Sequence, residues 1–177
     1  MTDLNQKFQK TEGFSLAGFF QMLLDENAEV YVDTSFFLHP YFMQDFVPEL
    51  MEYNILRGDK LKLNYFITSI HTLQRLMLSD KTDQDTVMRA RCALEELNFH
   101  INFDMKMSGF TKTQGEMISS ALVGRMNRKV VVLTQNMKQA RDLYKLNRFE
   151  SCNARGSVEV FRYSISGRFG RFEDIVE

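Results

Sequence analysis

No stretch of this sequence approaches eighteen consecutive apolar residues, and its first ten, MTDLNQKFQK, are polar. A membrane-spanning helix and a secretory leader are both unexpected, and a cytoplasmic protein without a membrane partner is predicted. Cysteine is scarce: Cys92 and Cys152 sit in unrelated local contexts and make neither a disulfide framework nor a zinc motif, so free thiols are expected. Low-complexity tracts and internal repeats are absent, apart from the short doublet Gly167-Arg168-Phe169-Gly170-Arg171-Phe172. Apolar material is what the chain has in quantity. Of its 177 residues, 44 % are hydrophobic and 12 % aromatic, which suits one domain with a substantial core and excludes a chain disordered throughout.

An excess of charge of either sign is also missing, since 22 Lys+Arg meet 23 Asp+Glu for a net charge of -1. The balance is uneven along the chain. Residues 1–124 carry 11 basic and 17 acidic residues, a balance of -6, and residues 125–177 carry 11 and 6, a balance of +5. Local Lys/Arg density governs contact with phosphate, so the final third is where nucleic acid would be met.

Periodicity predicts the following order. Residues 1–13 form an arm, and Ser15 caps a helix whose apolar stripe is Leu16, Phe19, Phe20, Leu23 and Leu24. Ala28–Asp33 reads as a buried strand stopping at a carboxylate. Phe46–Leu56 is helical in pattern, with Pro48 near its start. Tyr65–Thr68 is a second strand running into a helix over Ser69–Leu78, and a further helix covers Asp83–Asn98. Ile101–Met107 alternates and suggests an extended segment before a loop at Gly109. A helix over Gln114–Arg125, the strand Val130–Leu133, a helix over Met137–Lys145 and a strand over Ser157–Ile165, placed at a sheet edge, complete the chain. The glycines of the tail argue against a regular element there. This alternation is the grammar of an α/β protein with a mostly parallel central sheet, a three-layer α/β/α sandwich.

Ligands in such sheets bind beyond the carboxyl ends of the strands. Three ends are readable: Asp33-Thr34-Ser35, Thr68-Ser69 with His71 and Thr72 one turn on, and Thr134-Gln135-Asn136. Small polar residues at these places also serve as helix caps. Asp33 differs, because a carboxylate ending a hydrophobic strand is costly to bury without a partner or a metal. His39, His71 and His100 have no metal-ligand spacing with one another or with cysteine.

The blocks VYVDTSFFL (30–38), ITSIHTLQRL (67–76), TQGEMISSAL (113–122) and VVVLTQN with MKQARDL (130–143) resemble, in their order, the sequence blocks of the PIN-domain superfamily. The resemblance divides the chain into an N-terminal arm and helix (1–27), a PIN-like core (28–150) and a C-terminal strand with a basic and aromatic tail (151–177). Many PIN domains are metal-dependent ribonucleases, in which three or four carboxylates hold Mg²⁺ or Mn²⁺; the metal generates the attacking hydroxide and offsets charge on the phosphate. The family's acids fall here on Asp33, near Thr72, on Gln114 and on Asn136, with Thr34, Ser35, His71 and Thr134 around them. One carboxylate of four is kept. Gln and Asn retain an oxygen but lose the charge that a divalent ion needs. Among nearby acids, Glu116 lies about 200° round a helix from Gln114 and is expected to point elsewhere, and Asp142 is nearly two turns beyond Asn136.

Lys138, Arg141 and Lys145 share one helix face, and Arg168 and Arg171 continue the basic series among Phe169 and Phe172, an arrangement suited to phosphate contact and base stacking. The expected protein contacts nucleic acid, RNA in particular, with nuclease activity weak or lost. Two alternatives stay open: an active Mg²⁺- or Mn²⁺-dependent endoribonuclease with a rearranged acid set, and a non-catalytic module for a protein partner. The resemblance also suggests a homodimer.

Overall fold

The computed structural model describes residues 13–58, 61–99, 102–106, 113–149, 154–164 and 167–172. The arm up to residue 12, His100, the loop at Gly109 and Cys152 lie outside the described residues. In chain order the elements are α1 (Leu16–Asp25), β1 (Glu29–Val32), α2 (Thr34–Phe37), a π-helical turn (Phe42–Phe46), α3 (Val47–Arg57), β2 (Leu63–Phe66), α4 (Ile67–Leu78) and α5 (Gln84–Phe99). They continue with β3 (Phe103–Lys106), α6 (Thr113–Gly124), β4 (Val130–Leu133), α7 (Met137–Tyr144), a 3-10 turn (Lys145–Arg148), β5 (Val158–Tyr163) and β6 (Phe169–Arg171).

Every residue of β4 is buried, as expected for a central strand covered on both faces. The six strands run β3-β2-β1-β4-β5-β6, parallel except for β6. Alternation along the strands splits the core in two. Val30, Val32, Val131 and Leu133 face α1, α3, α4 and α5 through a phenylalanine-rich layer that includes Phe19, Phe36 and Phe46. Tyr31, Val130 and Val132 face α6 and α7 through Met117, Ala121, Ala140 and Leu143. The result is a three-layer α/β/α sandwich. Chain order reverses between β1 and β4, so the crevice beyond their carboxyl ends is the topological switch point. No described helix is long and apolar enough to cross a membrane.

Three expectations need correction. β2 lies two residues earlier than periodicity placed it, because the buried Asn64 is tolerated inside the strand: its amide donates to the Val30 carbonyl at 2.9 Å. β5 is not an edge strand, since β6 covers its free side. The tail is a regular strand despite its glycines. Gly167 turns the chain at φ 73°, and the segment then buries Phe169 (0 % exposed) and Phe172 (3 %). Those rings belong to the core and are not available for stacking on bases. Phe169 lies face to face with Phe19, their centroids 4.0 Å apart, so the last strand is packed on the first helix.

Candidate functional site

Asp33 follows β1, and its backbone N–H extends the ladder to the Leu133 carbonyl of β4 at 2.9 Å. Its side chain caps α2, accepting from the Ser35 N–H at 3.1 Å. The same carboxylate oxygen accepts from the Ser35 hydroxyl in a short contact and from the Thr134 hydroxyl at 3.0 Å. Gln139, on α7, faces the carboxylate with its side-chain amide; in the orientation that satisfies both amide atoms, its nitrogen donates to the two oxygens at 3.1 Å and 3.2 Å. The hydroxyls are fixed in turn: Gln135 N–H donates to Ser35 Oγ at 2.9 Å, and Asn136 N–H to Thr134 Oγ1 at 3.0 Å. Asp33 is thus a carboxylate only 5 % exposed, held by neutral donors. Such bonding offsets the loss of hydration that burial imposes.

The remaining strand ends join the same system. The Thr34 hydroxyl donates to Ser69 Oγ at 3.0 Å, tying the end of β1 to that of β2. The Thr68 hydroxyl donates to Glu116, which is fully buried. This corrects the helical-wheel expectation. A rotation counted from Gln114 does not say which face of the helix meets the sheet; α6 turns its 116 and 117 positions inward.

Of the other positions matching the family's acids, Thr72 bonds back to the Thr68 carbonyl at 2.9 Å, and His71 beside it is exposed. Gln114 lies in the first turn of α6, with its side chain outside the described part of the structure. Asn136 is exposed and caps α7, its side-chain oxygen accepting from Lys138 N–H at 3.1 Å and Gln139 N–H at 3.2 Å. Asp104 pairs with Lys62, just before β2, and so belongs to the amino end of the sheet. Asp142 lies 3.8 Å from Lys145 on the outside of α7. Among the described residues no three His, Cys, Asp or Glu side chains gather where they could hold a metal. The described surroundings of Asp33 do not fit Mg²⁺ or Mn²⁺, because N–H and O–H donors converge on the carboxylate where a hard cation would need further oxygen ligands.

The basic final third divides into two groups. Arg125 is buried, donating to the Phe149 carbonyl at 2.5 Å; Arg128 pairs with Glu29 at 3.3 Å, and Lys129 with Glu26 and Glu159, both at 2.7 Å. Arg171 pairs with Glu159 at 2.9 Å and lies against the Phe161 ring. Part of the sequence asymmetry is therefore internal neutralisation. Lys138 and Arg141, exposed on the face of α7 opposite buried Ala140 and Leu143, form the second group with exposed Lys145 at the helix C-cap. Arg168 is also exposed.

Sequence reasoning missed Gln139 and the inward turn of Glu116. The spacing Asn136-x-x-Gln139 was a signal, since a cap followed three residues later by Gln has the form of a capping box; here the Gln side chain meets Asp33 instead. No known protein family matches this chain, and no curated protein is significantly similar to it.

Proposed function

We propose that this chain is a PIN-like protein that contacts nucleic acid, RNA in particular, with metal-dependent nuclease activity weak or lost. The observation that carries the reading is the exposed row Lys138 and Arg141 on α7 with Lys145 at its C-cap, on a helix that starts at the switch-point crevice. Phosphates approaching the ends of β1 and β4 would meet these cations, whose side chains are not committed to the core. The neutral bonding of Asp33 and the capping role of Asn136 support loss of the metal chemistry. One observation favours the rearranged-acid alternative: Glu116 is a second buried carboxylate, at the end of β2.

The reading is tested by the salt dependence of RNA affinity. Binding should weaken steeply with salt, and Lys138→Glu or Arg141→Glu should reduce affinity about tenfold and lower the log–log salt slope by about 1. Undetectable or salt-independent binding would refute it.

A further inference from the structure

The face of the sheet under α6 and α7 is apolar only in part. Its buried cluster draws on β1, β4, β5 and Phe66 at the end of β2, and on no residue of β3. Alternation and register put Glu29, Asn64, Asp104 and Lys106 on that same face, Asn64 beside Asp104 and Lys106 two residues further along β3. A polar strip is left where a sheet covered on both sides would carry Val or Leu. All four residues line a cleft of about 310 Å³, whose other walls come from the end of α1, the α1–β1 turn, Leu61 and Lys62 before β2, and Arg128 before β4. More than half of the lining residues are charged or carry an amide, which sets the cleft apart from the mostly apolar pockets of drug-like ligands.

Most charges inside the cleft are already matched. Lys62 Nζ lies 3.3 Å and 3.2 Å from the two Asp104 oxygens, and Arg128 Nε donates to Glu29 at 3.3 Å, while the Tyr31 hydroxyl donates to the other Glu29 oxygen at 2.9 Å. Two groups are left over. Lys106 makes no ion pair or side-chain hydrogen bond among the described residues, and it gives the lining of three basic and two acidic side chains its excess of one positive charge. Asn64 is 8 % exposed, and its amide nitrogen is held by the Val30 carbonyl, which also settles which end of the amide is oxygen. That oxygen accepts no hydrogen bond among the described residues. A buried amide keeps such an arrangement where water or a ligand completes it.

A spare cation and a spare acceptor on neighbouring strands match one ligand chemistry: an anion that also carries hydroxyl donors. We propose that the cleft takes a small polyhydroxylated anion, a sugar phosphate or sugar acid of five or six carbons, its charged group on Lys106 and a hydroxyl donating to Asn64 Oδ1. The Asp104 and Glu29 carboxylates have lone pairs beyond those facing Lys62, Arg128 and Tyr31, and these accept further hydroxyls. From β3 to β1 the cleft crosses two strand spacings, about 10 Å, which is the length of a pentose phosphate. Inorganic phosphate answers the lysine alone and a free sugar answers the amide alone. Only the joined ligand uses both. The cleft lies at the amino ends of β1 and β2, away from the switch-point crevice, and the proposal is independent of the nucleic-acid reading.

The test is a titration of the ¹⁵N-labelled full chain, followed by backbone amide shifts, with ribose 5-phosphate, D-gluconate, ribose and inorganic phosphate in separate arms. Ribose 5-phosphate or gluconate should shift the amides of Asn64, Asp104 and Lys106, and should bind at least about tenfold more tightly than ribose or inorganic phosphate does. Which of the two binds better identifies the charged group as phosphate or carboxylate. Lys106→Gln, an exposed change that leaves the fold intact, should weaken the binding about tenfold, and Lys106→Arg, which keeps the charge, should retain most of it. Four results would each overturn the proposal: no shift with either hydroxylated anion at millimolar concentration, shifts confined to α7, inorganic phosphate binding as tightly as ribose 5-phosphate, or unchanged affinity in Lys106→Gln.

Discussion

At the end of β1, Asp33 is buried and every donor identified around it is neutral; a few residues away along the chain that starts at Thr134, Lys138 and Arg141 stand in solvent with no role in the core. The two regions share the β4–α7 connection, since Asn136 caps the helix that bears the cations while Thr134 bonds the carboxylate. One region is satisfied internally and holds three strand ends in register. The other has charge directed outward. The difference separates stability from binding: substitutions in the first should unfold the crevice, and substitutions in the second should change affinity in a protein that folds as before.

The largest effect belongs to Asp33→Ala. Removing the acceptor leaves the Ser35 N–H and the Gln139 amide without it and the Ser35 and Thr134 hydroxyls, 3.2 Å apart, able to donate only to each other, at a cost of about 3 kcal/mol of unfolding free energy by denaturant titration. Lys138→Glu and Arg141→Glu should instead shift stability by less than about 0.5 kcal/mol, as exposed sites do, while their RNA affinity falls. A stable Asp33→Ala protein with lost RNA affinity would invert the comparison.

Asn136 tests the hinge between the regions. Asn136→Ala removes the cap and should lower stability by about 1 kcal/mol, whereas Asn136→Asp keeps an accepting oxygen beside the positive end of α7 and should be at least as stable as the parent. Thermal melts of the two variants make the comparison. Equal destabilisation by both would mean that the amide nitrogen, not the capping oxygen, matters.

The smallest effect is in pH. Because the folded state holds the His39 pKa down, it favours the neutral ring, and the unfolded chain binds the proton more readily. This contribution is complete above the ordinary value of 6.5 and is lost as pH falls below it toward the lowered folded value. The melting temperature of the parent should therefore decline faster between about pH 7 and 5.5 than that of His39→Gln. Parallel profiles would mean that neither burial nor the charges of Arg162 and Arg89 hold the His39 pKa down.

Much of the fold could be read directly from periodicity. β4 is an unbroken apolar run, and α1 shows its cap and stripe together, Ser15 accepting from Gly18 N–H at 3.2 Å. The failures have a common physical cause. Asn64 inside β2, Glu116 inside α6 and the glycine-flanked Phe169 in β6 are each tolerated because of a partner distant in sequence: the Val30 carbonyl, the Thr68 hydroxyl and the Phe19 ring. Local pattern carries no information about such partners. The candidate site divides the same way. Asp33 was legible because a carboxylate after a hydrophobic strand stands out, but Gln139 reaches it only because β4 lies beside β1 in the sheet.

Central to this account is the independence of RNA binding from a metal at Asp33, and the direct measurement is one titration run four ways: labelled single-stranded RNA against the parent and Asp33→Asn, each in chelator and in Mn²⁺. The account predicts the same affinity in all four, with the RNA recovered intact. Mn²⁺-dependent cleavage by the parent that disappears in a folded Asp33→Asn protein would contradict it.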